Sequence, residues 1–323
     1  MKYEFDKYKT TPSNLKNTIE KYGVGIITNV LNEREIDNMR TDMWDYLEHI
    51  TQKFEVPIHR DNSKTWKEYL KLIPKHSMLL QQFQIGHSQL CWNIRQNPKI
   101  VNIFSKIWEI PGNELLTSFD GASFHFPPEE TNRGWYRNTW YHTDQSYLNS
   151  EFKCIQSWVT AYDVEEEDAT LAFMEGSNKY HKEFQEHFNI QDKSDWYKLS
   201  ENEKQFYKGK GCLEKRIKCP AGSMVFWDSR TIHCGTECTK NRKNKKIRSV
   251  VYVCMTPKNL ATEATLRKKK KAFKDKRTTS HWPHNPKLFP LKPRLYPDME
   301  MPNVTDIEDP VITKLGEKIA GIL

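Results

Sequence analysis

The 323-residue chain has no apolar run approaching the length needed to span a bilayer. Its first residues, Met1-Lys2-Tyr3-Glu4-Phe5-Asp6, lack the apolar core of a secretory leader, so no export signal is expected. The cysteines Cys91, Cys154, Cys212, Cys219, Cys234, Cys238 and Cys254 follow no regular spacing. An odd, scattered set argues against a disulfide framework and points to a reducing compartment, with the cytoplasm as the expected location. Cys234 and Cys238 beside His233 raise the question of zinc. No second closely spaced Cys/His pair completes a finger-like pattern, so free thiols are expected. Internal repeats are also missing, as is any linker long enough to demand two independent domains.

What is present is globular in composition. Hydrophobic residues make up 37% and aromatic residues 12%, including ten tryptophans, which a disordered chain would not carry. The net charge of +8 is uneven, with two basic runs, Lys240–Lys246 and Arg267–Arg277. The first lies between strand-like segments and reads as an exposed hairpin loop. The second reads first as a solvated helix or loop face. It leaves open a nuclear address, or contact with nucleic acid or another acidic partner.

Pattern changes along the chain. Residues 1–114 read as a mostly helical scaffold. A helix is expected from Asn32, with Ile36, Met39, Met43 and Tyr46 at helical spacing, and a short strand before it over Val24–Val30. Another apolar stripe, Val101, Ile103, Phe104, Ile107 and Trp108, follows Pro98. From residue 115 the texture turns to short β-branched and aromatic runs: Leu115–Phe126, Cys154–Val164, Thr170–Met174, Ser223–Trp227, Thr231–Cys234 and Ile247–Met255. Several short strands in one region suggest a sandwich or barrel over 115–257. Tyr180–Gly211 is polar and reads as a helical or irregular insertion. Beyond 257, Pro283, Pro286, Pro290, Pro293 and Pro297 predict an extended surface tail over 258–323. The whole chain, 1–323, is expected to be a single domain.

The chemistry concentrates in His142, Asp144 and His233. In a strand, residues two apart share a face, so His142 and Asp144 can reach one ion together, and a histidine from another strand can complete the set. Two imidazoles and a carboxylate on one face of an ion leave open positions, as in non-haem Fe(II) oxygenases. Taken alone, the trio is also compatible with zinc or with no ion. Arg248 narrows the choice. Alternation places it with Val250, Tyr252 and Cys254 on one strand face, where a guanidinium needs an anion. A return hairpin between the strands of His233 and Arg248 would set metal and guanidinium in one pocket, which suits a chelating dicarboxylate such as 2-oxoglutarate.

The chain resembles the phytanoyl-CoA dioxygenase-like family of Fe(II)/2-oxoglutarate oxygenases. The matching stretches are Tyr141–Tyr147, Gln156–Asp163, Ala169–Leu171, Gly176–Lys179 and Gly222–Trp227 leading to His233, then Arg248. With Gly23–Ile27 the likeness covers about residues 20–257, in order. Departures fall at Ala169, Glu175, Asn178 and Gly235, none of them in the triad. The resemblance implies a mainly β fold with flanking helices, built on a double-stranded β-helix (jelly-roll, cupin-like) core. It implies that His142, Asp144 and His233 bind Fe(II) and that Arg248 binds the distal carboxylate of 2-oxoglutarate. Trp158 would line that pocket, and O2 would be the co-substrate. The implied reaction is hydroxylation of a small molecule with release of succinate and CO2; the carboxylate ligand disfavours halogenation. The alternatives are a protein or nucleotide hydroxylase, or a non-catalytic nucleic-acid-binding relative. For the substrate, Ser118–Ser123 and Arg133-Gly134-Trp135-Tyr136-Arg137 are expected near the pocket mouth.

Overall fold

Asn32 accepts the backbone N–H of Glu35 at 2.9 Å, while the Glu35 carboxylate accepts that of Asn32 at 2.8 Å. This reciprocal cap satisfies two helix-start donors and begins α2 (Glu33–Thr51) where the apolar spacing predicts it. The computed structural model describes residues 2–72, 79–132, 139–240, 242–293, 295 and 300–323. Among the described residues its strands form two largely antiparallel sheets with flanking helices, and the sheets do not close into a barrel.

Contacts divide the chain into two units. The first contains Met1–Asn29, Trp135–Ser157 and Asp163–Lys243. It holds the whole of one sheet, in the order β1 (Lys2–Glu4), β10 (Glu214–Ile217), β8 (Thr170–Met174), β12 (His233–Thr236), β6 (His142–Thr143) and β9 (Tyr197–Lys198). Only β1 and β10 run parallel there. In the same unit β2 (Val24–Ile27) pairs antiparallel with β11 (Met224–Asp228). Helix α1 (Leu15–Tyr22) ends at Gly23, whose φ of +83° is the left-handed conformation that glycine adopts freely. A Cβ there would come within 2.7 Å of the Thr231 hydroxyl oxygen. The Gly23 carbonyl accepts from that hydroxyl and from the Asp228 N–H, which anchors the loop leading to His233.

The polar segment read as an insertion forms α6 (His181–Phe188) and α7 (Glu201–Gly209), with the unpredicted edge strand β9 between them. It has an aromatic core: Phe184, Tyr207 and Tyr147 pack together, and all three are buried.

The second unit contains Val30–Gly134, Trp158–Tyr162 and Asn244–Leu323. Strand β13 (Arg248–Pro257) pairs with β5 (Ala122–His125) and, at its far end, with β4 (Leu115–Thr117); β3 (Leu79–Leu80) pairs with β5. Strand β7 (Ile155–Thr160) has residues in both units. Helix α4 (Pro98–Trp108) supplies the apolar face expected from its spacing, α3 (Gln89–Arg95) precedes it, and α5 (Pro128–Thr131) is a single turn.

Several expectations need correction. The partners of β12 are β8 and β6, while those of β13 include β5 and β4, so the predicted return hairpin is not formed. Successive strands of a jelly roll commonly change sheet, which sequence separation alone does not reveal. The first basic run is not wholly exposed, because Arg242 is buried and lies 3.6 Å from Asp168. The second forms α8 (Glu263–Lys274), a largely solvated helix as read, except at Lys269. That side chain is fully buried, donates to the Thr117 carbonyl at 2.7 Å, and lies 4.0 Å from the centre of the Phe119 ring. The tail is not simply extended: it includes α9 (Lys314–Ala320) and buries Trp282, Ile307 and Ile319. Ser118–Ser123 is buried rather than at a mouth, with Phe119 packed against His87, Trp92 and Phe273. Arg133–Arg137 and Pro297 lie outside the described residues. All seven cysteines are buried free thiols. No helix among the described residues is long and apolar enough to cross a membrane.

Candidate metal centre

The β6–β12 ladder sets His142 directly opposite His233. Their rings lie 4.4 Å apart, and both side chains are buried. Asp144 directly follows β6. Its N–H donates to the Ser229 carbonyl at 3.0 Å, as does the Thr143 hydroxyl, which turns the chain end over the ladder. The β11–β12 loop is itself held by the Arg230 guanidinium, which grips buried Asp228 through Nε and Nη2 and the Ser150 carbonyl through Nη1. One donor atom from each of His142, Asp144 and His233 lies within 4.8 Å of the others.

Hydrogen bonding fixes which atoms face inward. His142 Nδ1 lies 3.1 Å from the Trp140 carbonyl and His233 Nδ1 lies 2.8 Å from the Thr231 carbonyl. A carbonyl only accepts, so each Nδ1 carries a proton and each ring turns its Nε2 inward. Those two Nε2 atoms stand 3.6 and 3.2 Å from Asp144 Oδ2. Burial, with a further push from His142, lowers the pKa of His233 and disfavours a second proton on it. Two Nε2 atoms and a carboxylate oxygen therefore converge on one point. Two imidazoles with one carboxylate form a donor set suited to Fe(II).

The next layer of contacts was not read from the sequence. Gln156 Nε2 donates to Asp144 Oδ2 at 3.0 Å and so orients the carboxylate. Its place on a strand was legible, but its partner was not. Trp140 stacks on His142 at 4.6 Å, and buried Trp227 lies 5.4 Å from the His233 ring.

Arg248 and Trp158 lie together in the second unit. The guanidinium carbon is 5.5 Å from the centre of the Trp158 ring, and Nη1 donates to Ser123 Oγ at 3.1 Å. Arg248 is 7% exposed, yet its Nε has no hydrogen-bond partner and no carboxylate pairs with it among the described residues. The Trp158 Nε1 is likewise buried without a partner.

Comparison with known proteins agrees with this chemistry. Residues 19–245 match the model of the phytanoyl-CoA dioxygenase (PhyH) family; the match includes the triad and Trp158 and stops just before Arg248. The Ava biosynthesis cluster protein O of Aspergillus versicolor is 27% identical over 242 residues, covering 72% of this chain and 75% of that protein. Among solved structures, a Salmonella typhimurium LT2 protein provisionally described as an oxidoreductase has a TM-score of 0.62 at 14% identity, covering 97% of this chain and 86% of its own. The GlcNAc-inducible gene 2 protein of Candida albicans has a TM-score of 0.56 at 15% identity, covering 84% of this chain and 68% of its own. These likenesses extend the fold well beyond detectable sequence similarity. From the family match and a donor set suited to its iron, the chain belongs to the phytanoyl-CoA dioxygenase family, oxygenases that use Fe(II), 2-oxoglutarate and O2.

Proposed function

We propose that the protein is an Fe(II)/2-oxoglutarate-dependent dioxygenase that hydroxylates a small organic molecule, releasing succinate and CO2. The observation that carries this reading is the convergence of the His142, Asp144 and His233 donor atoms with both imidazole tautomers fixed outward. When bound, the iron supplies the oxygen-activating chemistry, with 2-oxoglutarate as reductant. The residues of the chain do the rest. His142, Asp144 and His233 would hold the ion, and the Trp140 and Thr231 carbonyls fix the orientation of the two rings by accepting from each Nδ1–H. Gln156 keeps the carboxylate turned inward, and Trp227 helps to exclude water around His233.

Arg248 is assigned to the distal carboxylate of 2-oxoglutarate because its buried guanidinium has no acidic partner among the described residues. Trp158, packed beside it, is assigned to line the same pocket. The two contact units are read as parts of one oxygenase domain, since the chain passes between them repeatedly.

The test is calorimetric binding of Fe(II) and then 2-oxoglutarate under anaerobic conditions, followed by oxygen-dependent succinate formation. Binding of neither would sink the assignment. A screen of metabolite extracts for oxygen-dependent mass gain then identifies the substrate.

A further inference from the structure

Two tryptophans belong to the exposed class among the described residues, and both lie against the same candidate ligand. Trp140 is 39% exposed and Trp196 is 49% exposed. Trp140 lies 4.6 Å from the His142 ring at an interplanar angle of 13°. Trp196 lies 5.9 Å from it at 37°. Large aromatic surface left in water beside a reactive centre calls for an explanation, since tryptophan is ordinarily among the most buried residues.

The insertion between β8 and β10 holds these rings in place. Its strand β9 pairs with β6 in the register His142↔Lys198 and Thr143↔Tyr197. Continuing that register by one residue sets Trp196 opposite Asp144. Four further contacts join the insertion to the metal-bearing segment. The Leu199 N–H donates to the Tyr141 carbonyl at 2.9 Å, and His181 Nε2 lies 3.1 Å from the Gln145 carbonyl. The Ser146 hydroxyl donates to the Asp192 carbonyl at 3.3 Å, and Tyr147 stacks on Phe184 at 4.5 Å. Trp140 is fixed separately by donation from Nε1 to the Gly235 carbonyl at 3.1 Å. A polar insertion with its own aromatic core thus braces an exposed indole beside the triad.

We propose that Trp140 and Trp196 form the substrate-recognition wall of this site and select a substrate bearing a flat, uncharged aromatic or conjugated ring. The proposal rests on the metal-centre reading for the location of the chemistry. Both indoles incline by less than 40° to the His142 plane, which favours a planar guest over a branched one. The charges near Trp196 alternate in sign, with Asp192, Lys193, Asp195 and Lys198 in the same stretch. That stretch carries no net charge of its own, and the ring face is the recognition element in this proposal.

The test uses the full chain with Mn(II) in place of iron, 2-oxoglutarate, and two probes of equal size, planar 2-naphthol and saturated decahydro-2-naphthol. Binding is read by tryptophan fluorescence, and proximity to the metal by paramagnetic broadening of probe proton signals. The expected result is saturable 2-naphthol binding with Mn(II)-dependent broadening and weaker binding of the saturated probe. Trp196→Leu should weaken 2-naphthol binding by about tenfold, Trp196→Phe should retain most of it, and Mn(II) affinity should not change in either. Equal affinity for the two probes, or a Trp196→Leu variant that binds 2-naphthol like the wild type, overturns the proposal. Trp196-dependent 2-naphthol binding without broadening supports the wall and refutes the metal-centre reading instead.

Discussion

His233 Nε2 stands 3.2 Å from Asp144 Oδ2, and the outward nitrogen of the same ring donates to the Thr231 carbonyl. The contact that holds His233 in its tautomer therefore also aims its Nε2 at the point where the three candidate donors converge.

His142→Ala or Asp144→Ala should reduce 2-oxoglutarate-dependent succinate formation to background. Wild-type succinate production in either variant would falsify the ligand assignment. Gln156→Leu removes only the hydrogen bond to Asp144 Oδ2. It should weaken metal binding about 10- to 100-fold while leaving the fold intact, measured by metal titration beside circular dichroism.

Arg248→Ala should raise the KM for 2-oxoglutarate by about thirtyfold or more, within the range for truncating one partner of a buried charge pair. Arg248→Lys should restore little, because an ammonium lacks the planar fork that grips a carboxylate. Unchanged 2-oxoglutarate affinity in the alanine variant removes Arg248 from this role.

Acid should destabilise the fold before its carboxylates titrate. Burial lowers the pKa of His87 to about 3 and that of His181 to about 4, from the ordinary value of 6.5. As pH falls below 6.5, the unfolded chain takes up these protons and the folded chain does not. Stability should therefore fall between about pH 6.5 and 4, with each histidine contributing a slope of about 1.4 kcal/mol per pH unit. Urea denaturation across that window checks the slope, and His181→Phe should make it shallower. An identical slope in the variant rules His181 out as a contributor.

Lys269 predicts a trend at alkaline pH. Burial, and then Arg95, lowers its pKa from 10.5 to about 7. Between those values the unfolded chain holds a proton that the folded chain has released, so stability should rise as pH increases from about 7 toward 10. Lys269→Met should flatten the rise. Melting temperatures at pH 7 and pH 9.5 for both proteins decide it.

Legibility in the sequence followed how local each signal was. The cap at Asn32 and Glu35 lies within four residues, and α2 begins where that pattern puts it. His142 and Asp144 were singled out through strand parity; the triad does gather, although β6 ends at Thr143 and Asp144 reaches the site from the bend that follows. Sheet choice is a long-range property. The fifteen-residue interval from His233 to Arg248 fits a hairpin as well as a crossover between sheets, and the crossover is what forms. Lys269 is hidden for the same reason: among Arg267, Lys268, Lys270 and Lys271 its charge looks solvated, and only the helix phase against Thr117 and Phe119 buries it. Trp196 sits in a polar stretch whose edge strand has two residues, too short for any periodicity. Gln156 was visible as a strand residue, but its partner Asp144 lies on another element.

The strand pairing also dictates an order of assembly. β1 pairs in parallel with β10, Lys2 with Lys215, and His142 waits for His233. Contacts so distant in sequence make folding slow, because loops must close before the pairing compensates for their lost entropy. During synthesis the first strand emerges long before its neighbour, and His233, the last of the three candidate ligands, is on the final strand of its sheet to leave the ribosome. Metal capture by this trio is therefore expected late, and the time course of metal uptake during refolding should report completion of the β6–β12 ladder.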